Sequence, residues 1–275
     1  MNLNRRYFAA AALGALTVWQ PACAQTVTAV DASKPAFAPE VGQPGKDVIW
    51  VPTNQVLVDR MLDMAKLTPQ DQLVDLGSGD GRTVITAAKR GATARGIEFD
   101  PNMVALARRM AAAEGVGKRA SFEQADIFKS DFKNATVVTL FLLPDLNLRL
   151  RPTLLAMKPG TRIVSNSFTM ADWKPDESAQ VTEGCDNYCI AHKWTVPAQV
   201  AGIWRIGNQQ LSLEQQFQVL SGNLQDGTST LPITEARLDG DQIRFTAGSR
   251  RYVGAVSGNV MRGTADGISP WTAAR

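Results

Sequence analysis

The chain has 275 residues, 44% of them apolar, enough for one large domain or two unequal ones around a sizeable core. Its 29 Lys and Arg against 26 Asp and Glu leave a formal charge of +3 with no basic run, so no nucleic-acid partner is indicated. Beyond the N-terminus no stretch of about 18 uncharged apolar residues occurs, so no internal membrane span is expected.

Residues 1–24 carry Arg5 and Arg6, an apolar stretch from Tyr7 to Trp19, and Ala22-Cys23-Ala24 as an A-x-A cleavage site. That is the pattern of a secretory signal. Arg5-Arg6-Tyr7-Phe8 resembles a twin-arginine export motif. The expectation is an exported, periplasmic protein, with a membrane anchor as the alternative if the signal stays uncleaved. Residues 25–47, rich in Pro, Ala and small polar groups, read as a linker.

Apolar residues at helical spacing over Val56–Leu67 predict a helix that ends at Thr68-Pro69. Strands and helices then alternate. The expected strands are Gln72–Leu76, Ala94–Phe99, Ala120–Ala125, Thr136–Leu142 and Arg162–Ser167, and the helices are Thr83–Arg90, Pro101–Glu114 and Asp145–Met157. Asp100 before Pro101 is a strong helix start. Ala179–Glu183 and Tyr188–Val196, joined by Gly184-Cys185-Asp186-Asn187, predict an antiparallel hairpin. The fold class is therefore α/β over 48–197: a doubly wound, mainly parallel seven-stranded sheet. Over 198–275 the pattern changes to alternation broken by Gly, Asn and Asp, with hairpin turns at Asp239-Gly240-Asp241 and Ser257-Gly258-Asn259. This predicts a small C-terminal antiparallel β-domain, a meander or half-barrel. Trp194 and Trp204 flank the junction and are the expected hinge aromatics.

After removal of the signal, Cys185 and Cys189 remain, a pair that an oxidising compartment can bridge or leave as packed thiols. With His192 the only histidine, no metal site is expected.

The stretch Leu73-Val-Asp-Leu-Gly-Ser-Gly-Asp-Gly-Arg82 carries the chemistry. Gly77, Ser78, Gly79, Asp80 and Gly81 form a loop whose glycines permit positive φ and close approach to a ligand. A helix start follows, so backbone amides point at the same place. The spacing is G-x-G-x-G, however, and Asp75 stands where dinucleotide fingerprints carry an apolar residue. A carboxylate there repels a pyrophosphate and suits an ammonium, and S-adenosylmethionine carries one beside its sulfonium. Glu98, with Phe99, ends the second strand and is placed to accept from both ribose hydroxyls. Asp126 ends the third, placed to accept from an adenine amino group with Ile127 against the ring. Three acids ending three consecutive strands converge on one crevice.

These residues resemble the class I S-adenosylmethionine-dependent methyltransferases, a Rossmann-like fold. Within that class, Val51-Pro52-Thr53, Asp75–Arg82, Gly96-Ile97-Glu98-Phe99-Asp100-Pro101 and Arg162–Trp173 look closest to the mitochondrial protein-lysine methyltransferases that act on small membrane proteins. The resemblance implies that Thr53 and Asn54 close over the methionine end, and that a protein lysine, in the finer case on a membrane protein, is the acceptor. A small-molecule acceptor stays open. Leu142-Leu143-Pro144-Asp145 departs from the family's fourth-strand ending, and the segment after Pro197 has no counterpart. Asp145 is the candidate base for deprotonating an amine, against the plain alternative of a helix cap. Asn166 is a further pocket candidate, and His192 reads as a packed histidine. A competing reading is an exported binder or degenerate methyltransferase fold whose β-domain holds a partner; the intact loop argues against degeneracy.

Overall fold

The computed structural model describes residues 37–275. The expected signal peptide, and the part of the expected linker before Phe37, lie outside the described residues. Helix α1 (Gln55–Met64) opens the first unit. It is followed by β1 (Gln72–Leu76), α2 (Arg82–Lys89), β2 (Thr93–Glu98), α3 (Pro101–Ala113), β3 (Ala120–Gln124), β4 (Val137–Leu140), α4 (Pro144–Leu155), β5 (Arg162–Asn166), β6 (Glu177–Gln180) and β7 (Ile190–Thr195). The sheet order is β3-β2-β1-β4-β5-β7-β6. The first five strands in that order are parallel, and β7 runs antiparallel to both β5 and β6. Every residue of β4 is buried, as expected of a central strand covered on both faces.

Two cores explain the layers. α1, α2 and α3 bury Leu57, Leu62, Val84 and Val104 on one face. On the other face α4 packs Leu150 and Leu154 with Trp173 and Trp194. The start of α3 is as predicted: Asp100 accepts from Asn102 N–H at 2.8 Å and Pro101 is the first helical residue. β6 begins two residues earlier than its predicted span, because Glu177 pairs with Lys193 across the ladder at 2.7 Å. Among the described residues no helix is long and apolar enough to cross a membrane.

From β8 (Gly202–Ile206) to β15 (Ser269–Ala274) eight antiparallel strands follow one another as the expected meander, and they close into a full barrel, which corrects the half-barrel alternative. Closure comes from β8, which pairs with β9 (Gln209–Gln216) on one side and with β15 on the other. That first-to-last pairing is a long-range contact that local alternation does not reveal. Trp204, Phe245, Tyr252 and Trp271 fill the interior, with the Phe245 and Tyr252 rings stacked at 4.7 Å.

The junction is built differently from the expectation. Trp194 belongs to the core of the sheet and Trp204 to that of the barrel, where its Nε1 donates to Val200 O at 2.8 Å. The bridge is instead Phe217, stacked on Trp173 at 5.9 Å, with Arg237 paired to Asp176 and Gln218 Nε2 donating to Lys174 O at 2.8 Å. Ending the chain at Pro197 is therefore expected to leave the sheet folded while exposing one face of Trp173. Losing about 1.5–3 kcal/mol of aromatic burial lowers the melting midpoint by roughly 5–10 °C. An unchanged midpoint in a calorimetric scan would show that the barrel braces nothing.

Candidate active site

The apolar run of β1 carries the chain to the carboxyl edge of the sheet, and the glycine loop turns it into α2. Gly79 has φ +54°, and a Cβ there would lie 2.7 Å from Trp50 Nε1. The loop is thus bare because another segment presses on it. Gly81 faces the other way: its absent Cβ points at Phe122 and Ala107, so it serves helix packing and does not line the cavity. Gly96 makes room for the loop, since a Cβ there would sit 2.4 Å from Ser78 Oγ.

Asp75 is 7% exposed and accepts from Thr139 Oγ1 on the adjacent strand at 2.7 Å. Burial pushes its pKa up to about 7; the Thr139 hydrogen bond opposes this, and the negative charges of Glu98 and Asp80 add to it. A carboxyl so placed ionises readily only beside a cation. Glu98 Oε2 accepts from Gly79 N–H at 2.9 Å, while Oε1 accepts from Phe99 N–H at 2.8 Å and Asp100 N–H at 3.0 Å. Glu98 therefore fixes the loop against the end of β2. Asp126 accepts from Phe128 N–H and from Lys46 Nζ at 2.8 Å. The Lys46 ammonium, helped by that amide, holds the Asp126 carboxyl below its usual range.

One cavity with about 1060 Å³ of empty space, partly open to solvent, joins these groups. Thr53, Asp75, Gly77, Ser78, Gly79, Asp80, Glu98, Phe99, Asp126 and Ile127 all line it. Phe99 and Ile127, from adjacent strand ends, offer two apolar faces for a planar ring.

Four candidates fall elsewhere. Gly81 is the first, as described. Asn54 caps α1, its side chain accepting from Val56 N–H at 3.2 Å, and does not line the cavity. Asp145 is exposed in the first turn of α4, because that helix starts one residue earlier, at Pro144. It complements the helix dipole there and does not reach the cavity, which its neighbour Leu146 does line. Asn166 is buried behind the wall, its Nδ2 donating to Thr53 Oγ1 at 3.2 Å. His192 is half-buried, hydrogen-bonded through Nδ1 to Ser178 Oγ at 2.8 Å, with its pKa lowered by burial.

Sequence reasoning missed the cover. Residues 43–50, read as linker up to 47 and as the start of the α/β domain from 48, fold back over the cavity. Gly42 N–H donates to Trp50 O at 2.8 Å and Trp50 N–H to Gln43 O at 2.9 Å. Gln43 through Trp50 all line the site. Lys46 lies 4.8 Å from the Phe99 ring centroid as well as on Asp126. Arg82 was also missed: it clamps Asp80 through Nε and Nη2 and donates through Nη1 to Thr53 O at 2.8 Å, tying loop to cover. The tryptophan directly before Val51-Pro52-Thr53 was the available signal.

The parallel sheet, the bare loop and the strand-end acids around one cavity define a class I S-adenosylmethionine-dependent methyltransferase. The family described as the ANTKMT methyltransferase domain matches residues 75–177. A protein-lysine N-methyltransferase of Saccharolobus islandicus is 41% identical over 146 residues, which are 52% of this chain and 91% of that one. The chain belongs to this methyltransferase family. The adenine nucleotide translocase lysine N-methyltransferase of Mus musculus is 36% identical over 131 residues, which are 47% of this chain and 56% of that one. Among solved structures, an RNA methyltransferase from Salinibacter ruber in complex with S-adenosyl-L-homocysteine is 45% identical, with a TM-score of 0.51. The match covers 55% of this chain and 96% of that one. The cofactor is S-adenosylmethionine, and the chain is an enzyme of that class.

Proposed function

We propose that the enzyme methylates the ε-amino group of lysine in a protein acceptor, in the finer case a membrane protein, and that it works after export. The observation that carries the acceptor class is charge. The cavity is lined by six carboxylates, Asp47, Asp75, Asp80, Glu98, Asp100 and Asp126, against two cationic side chains, Lys46 and Arg82. Asp75, Glu98 and Asp126 meet the cofactor and Arg82 pairs with Asp80, so Asp47 and Asp100 are the carboxylates left for an acceptor, and they favour a cation over a phosphate backbone. The name of the archaeal relative supports lysine; the name of the Salinibacter ruber protein points to RNA, which this rim disfavours. Export is supported by the Cys185–Cys189 disulfide, a bond that persists in oxidising compartments.

S-adenosylmethionine supplies an activated methyl on its sulfonium. The chain then has to position the acceptor, strip it of water and favour its neutral form. Asp75 is the partner for the cofactor's ammonium, and Glu98 and Asp126 stand at the ribose and adenine ends. Leu140, Phe141, Leu142 and Leu146 supply the apolar wall beside them. Desolvation between such groups lowers an amine pKa without a dedicated base, which is the role Asp145 no longer fills. Incubating the protein with methyl-labelled S-adenosylmethionine and envelope extract is expected to label protein, with methyl-lysine found by mass spectrometry. Label that ribonuclease removes, or label confined to small molecules, would reject the lysine reading.

A further inference from the structure

Three aromatic side chains from three separate segments meet at the carboxyl edge of the sheet. Phe141 follows β4, Phe168 follows β5, and Tyr188 sits in the loop before β7. The ring centroids of Phe141 and Tyr188 are 5.2 Å apart, those of Phe168 and Tyr188 5.9 Å, and those of Phe141 and Phe168 6.2 Å. None of the three belongs to either core of the sheet. Phe141 lines the cofactor cavity, whereas Tyr188 is 44% exposed. The cluster is a continuous aromatic surface running from solvent to the cavity wall.

Tyr188 is held there by its surroundings. The Cys185–Cys189 disulfide spans it, and its backbone is left-handed at φ +56°, a conformation an aromatic residue adopts only where its neighbours impose it. Val181 N–H donates to Cys189 O at 2.9 Å, and Ser167 N–H donates to Ile190 O at 2.7 Å, which ties the loop to the residue before Phe168. On its other side Gly184 lies against Val56 at the start of α1. The loop also carries Glu183 and Asp186, both exposed, and no cation from residue 181 to residue 190.

The geometry points to these rings as the acceptor track: the substrate lysine enters over Tyr188, lays its stem along Phe168 and Phe141, and presents its nitrogen to the cavity. This rests on the lysine reading above. A lysine side chain combines an aliphatic stem with a cationic head, and aromatic faces take both. Each methylation leaves a cation with more apolar surface, so the same rings hold the product of every round. Aromatic surfaces also stack nucleic-acid bases, but those sites pair their rings with cations for the backbone. The loop that presents Tyr188 carries only acids.

The test uses the full chain loaded with S-adenosylhomocysteine and titrated with three probes. They are N-acetyl-trimethyllysine methylamide, its neutral carbon isostere with a tert-butyl head, and uridine monophosphate. The trimethyllysine probe is expected to bind about fivefold or more tighter than the isostere. Tyr188→Ala removes that preference, Tyr188→Phe keeps it, and Phe168→Leu reduces it, while S-adenosylhomocysteine affinity stays unchanged in all three variants and certifies their folding. Equal binding of cation and isostere, or a preference untouched by Tyr188→Ala, overturns the track. Tighter binding of uridine monophosphate overturns it in favour of base stacking. Lysine labelling by the same preparation reports separately on the function: labelled lysine with no probe preference removes the track and leaves that function standing.

Discussion

Gly79→Val is expected to abolish S-adenosylmethionine binding, with affinity falling by more than about a hundredfold in a calorimetric titration. Two independent costs add. A β-branched residue at φ +54° is strained by about 1–3 kcal/mol. Its Cβ would also stand 2.7 Å from Trp50 Nε1, so the indole must leave. Trp50 is hydrogen-bonded to Gly42 and Gln43, and displacing it displaces the whole cover, including Lys46 over Asp126. A loop that shifts to relieve either clash also carries the position-79 N–H away from Glu98 Oε2. The fold itself is held by cores on both faces of the sheet, so far-ultraviolet circular dichroism should hardly change. Binding at wild-type affinity would mean that the loop does not contact the cofactor.

The second large effect is a pH dependence set by Asp75. Its pKa is pushed up to about 7 in the folded chain, against 3.8 for an ordinary aspartate. Between these values the folded state keeps a proton that the unfolded state has released. Stability from this group is therefore fully present below pH 4, is lost as pH rises to about 7, and is constant above that. The loss is at most on the order of 4 kcal/mol. Asp75→Asn keeps a partner for Thr139 and removes the penalty, so the cofactor-free variant is expected to be more stable than the wild type at pH 8 and no more stable at pH 4. Comparing the two at each pH cancels the opposite slopes of Asp71 and Glu177, whose pKa values are lowered. Cofactor binding reverses the preference. A charge-assisted contact to the cofactor's ammonium contributes about 1.5–3 kcal/mol once Asp75 is ionised, or roughly ten- to a hundredfold in affinity. Wild-type affinity should accordingly fall as pH drops below about 7, and Asp75→Asn should bind weakly at pH 8 with little further change at pH 5. A wild-type affinity that stays flat from pH 6 to pH 8 would take Asp75 away from the ammonium.

Both predictions follow from features that a reader of the chain could find, yet their energetics come from contacts that were hidden. The carboxylate of Asp75 was visible two residues before Gly77; its burial and its bond to Thr139 depend on β4 settling beside β1. The bareness of Gly79 was visible as well, but the indole that requires it belongs to a segment read as linker up to 47 and given no contact with the glycine loop from 48 on.

The sequence by itself determined the alternation of strands and helices, the glycine loop, and the three acids near the end of β1, at the end of β2 and just past β3. Each is set by spacing within one short stretch, where the period of side chains and the conformational freedom of glycine act locally. It also determined the cap of α3 and the hairpin turns of the barrel, for the same reason. Only the tertiary structure decided that residues 43–50 cover the cofactor site, that Asn54 and Asp145 turn to their helices, and that Phe217 rather than Trp194 or Trp204 joins the two parts. It alone closed the barrel through β8 and brought Phe141, Phe168 and Tyr188 together. These are meetings of residues far apart in the chain, and packing chooses among many apolar partners of similar volume that no local pattern distinguishes.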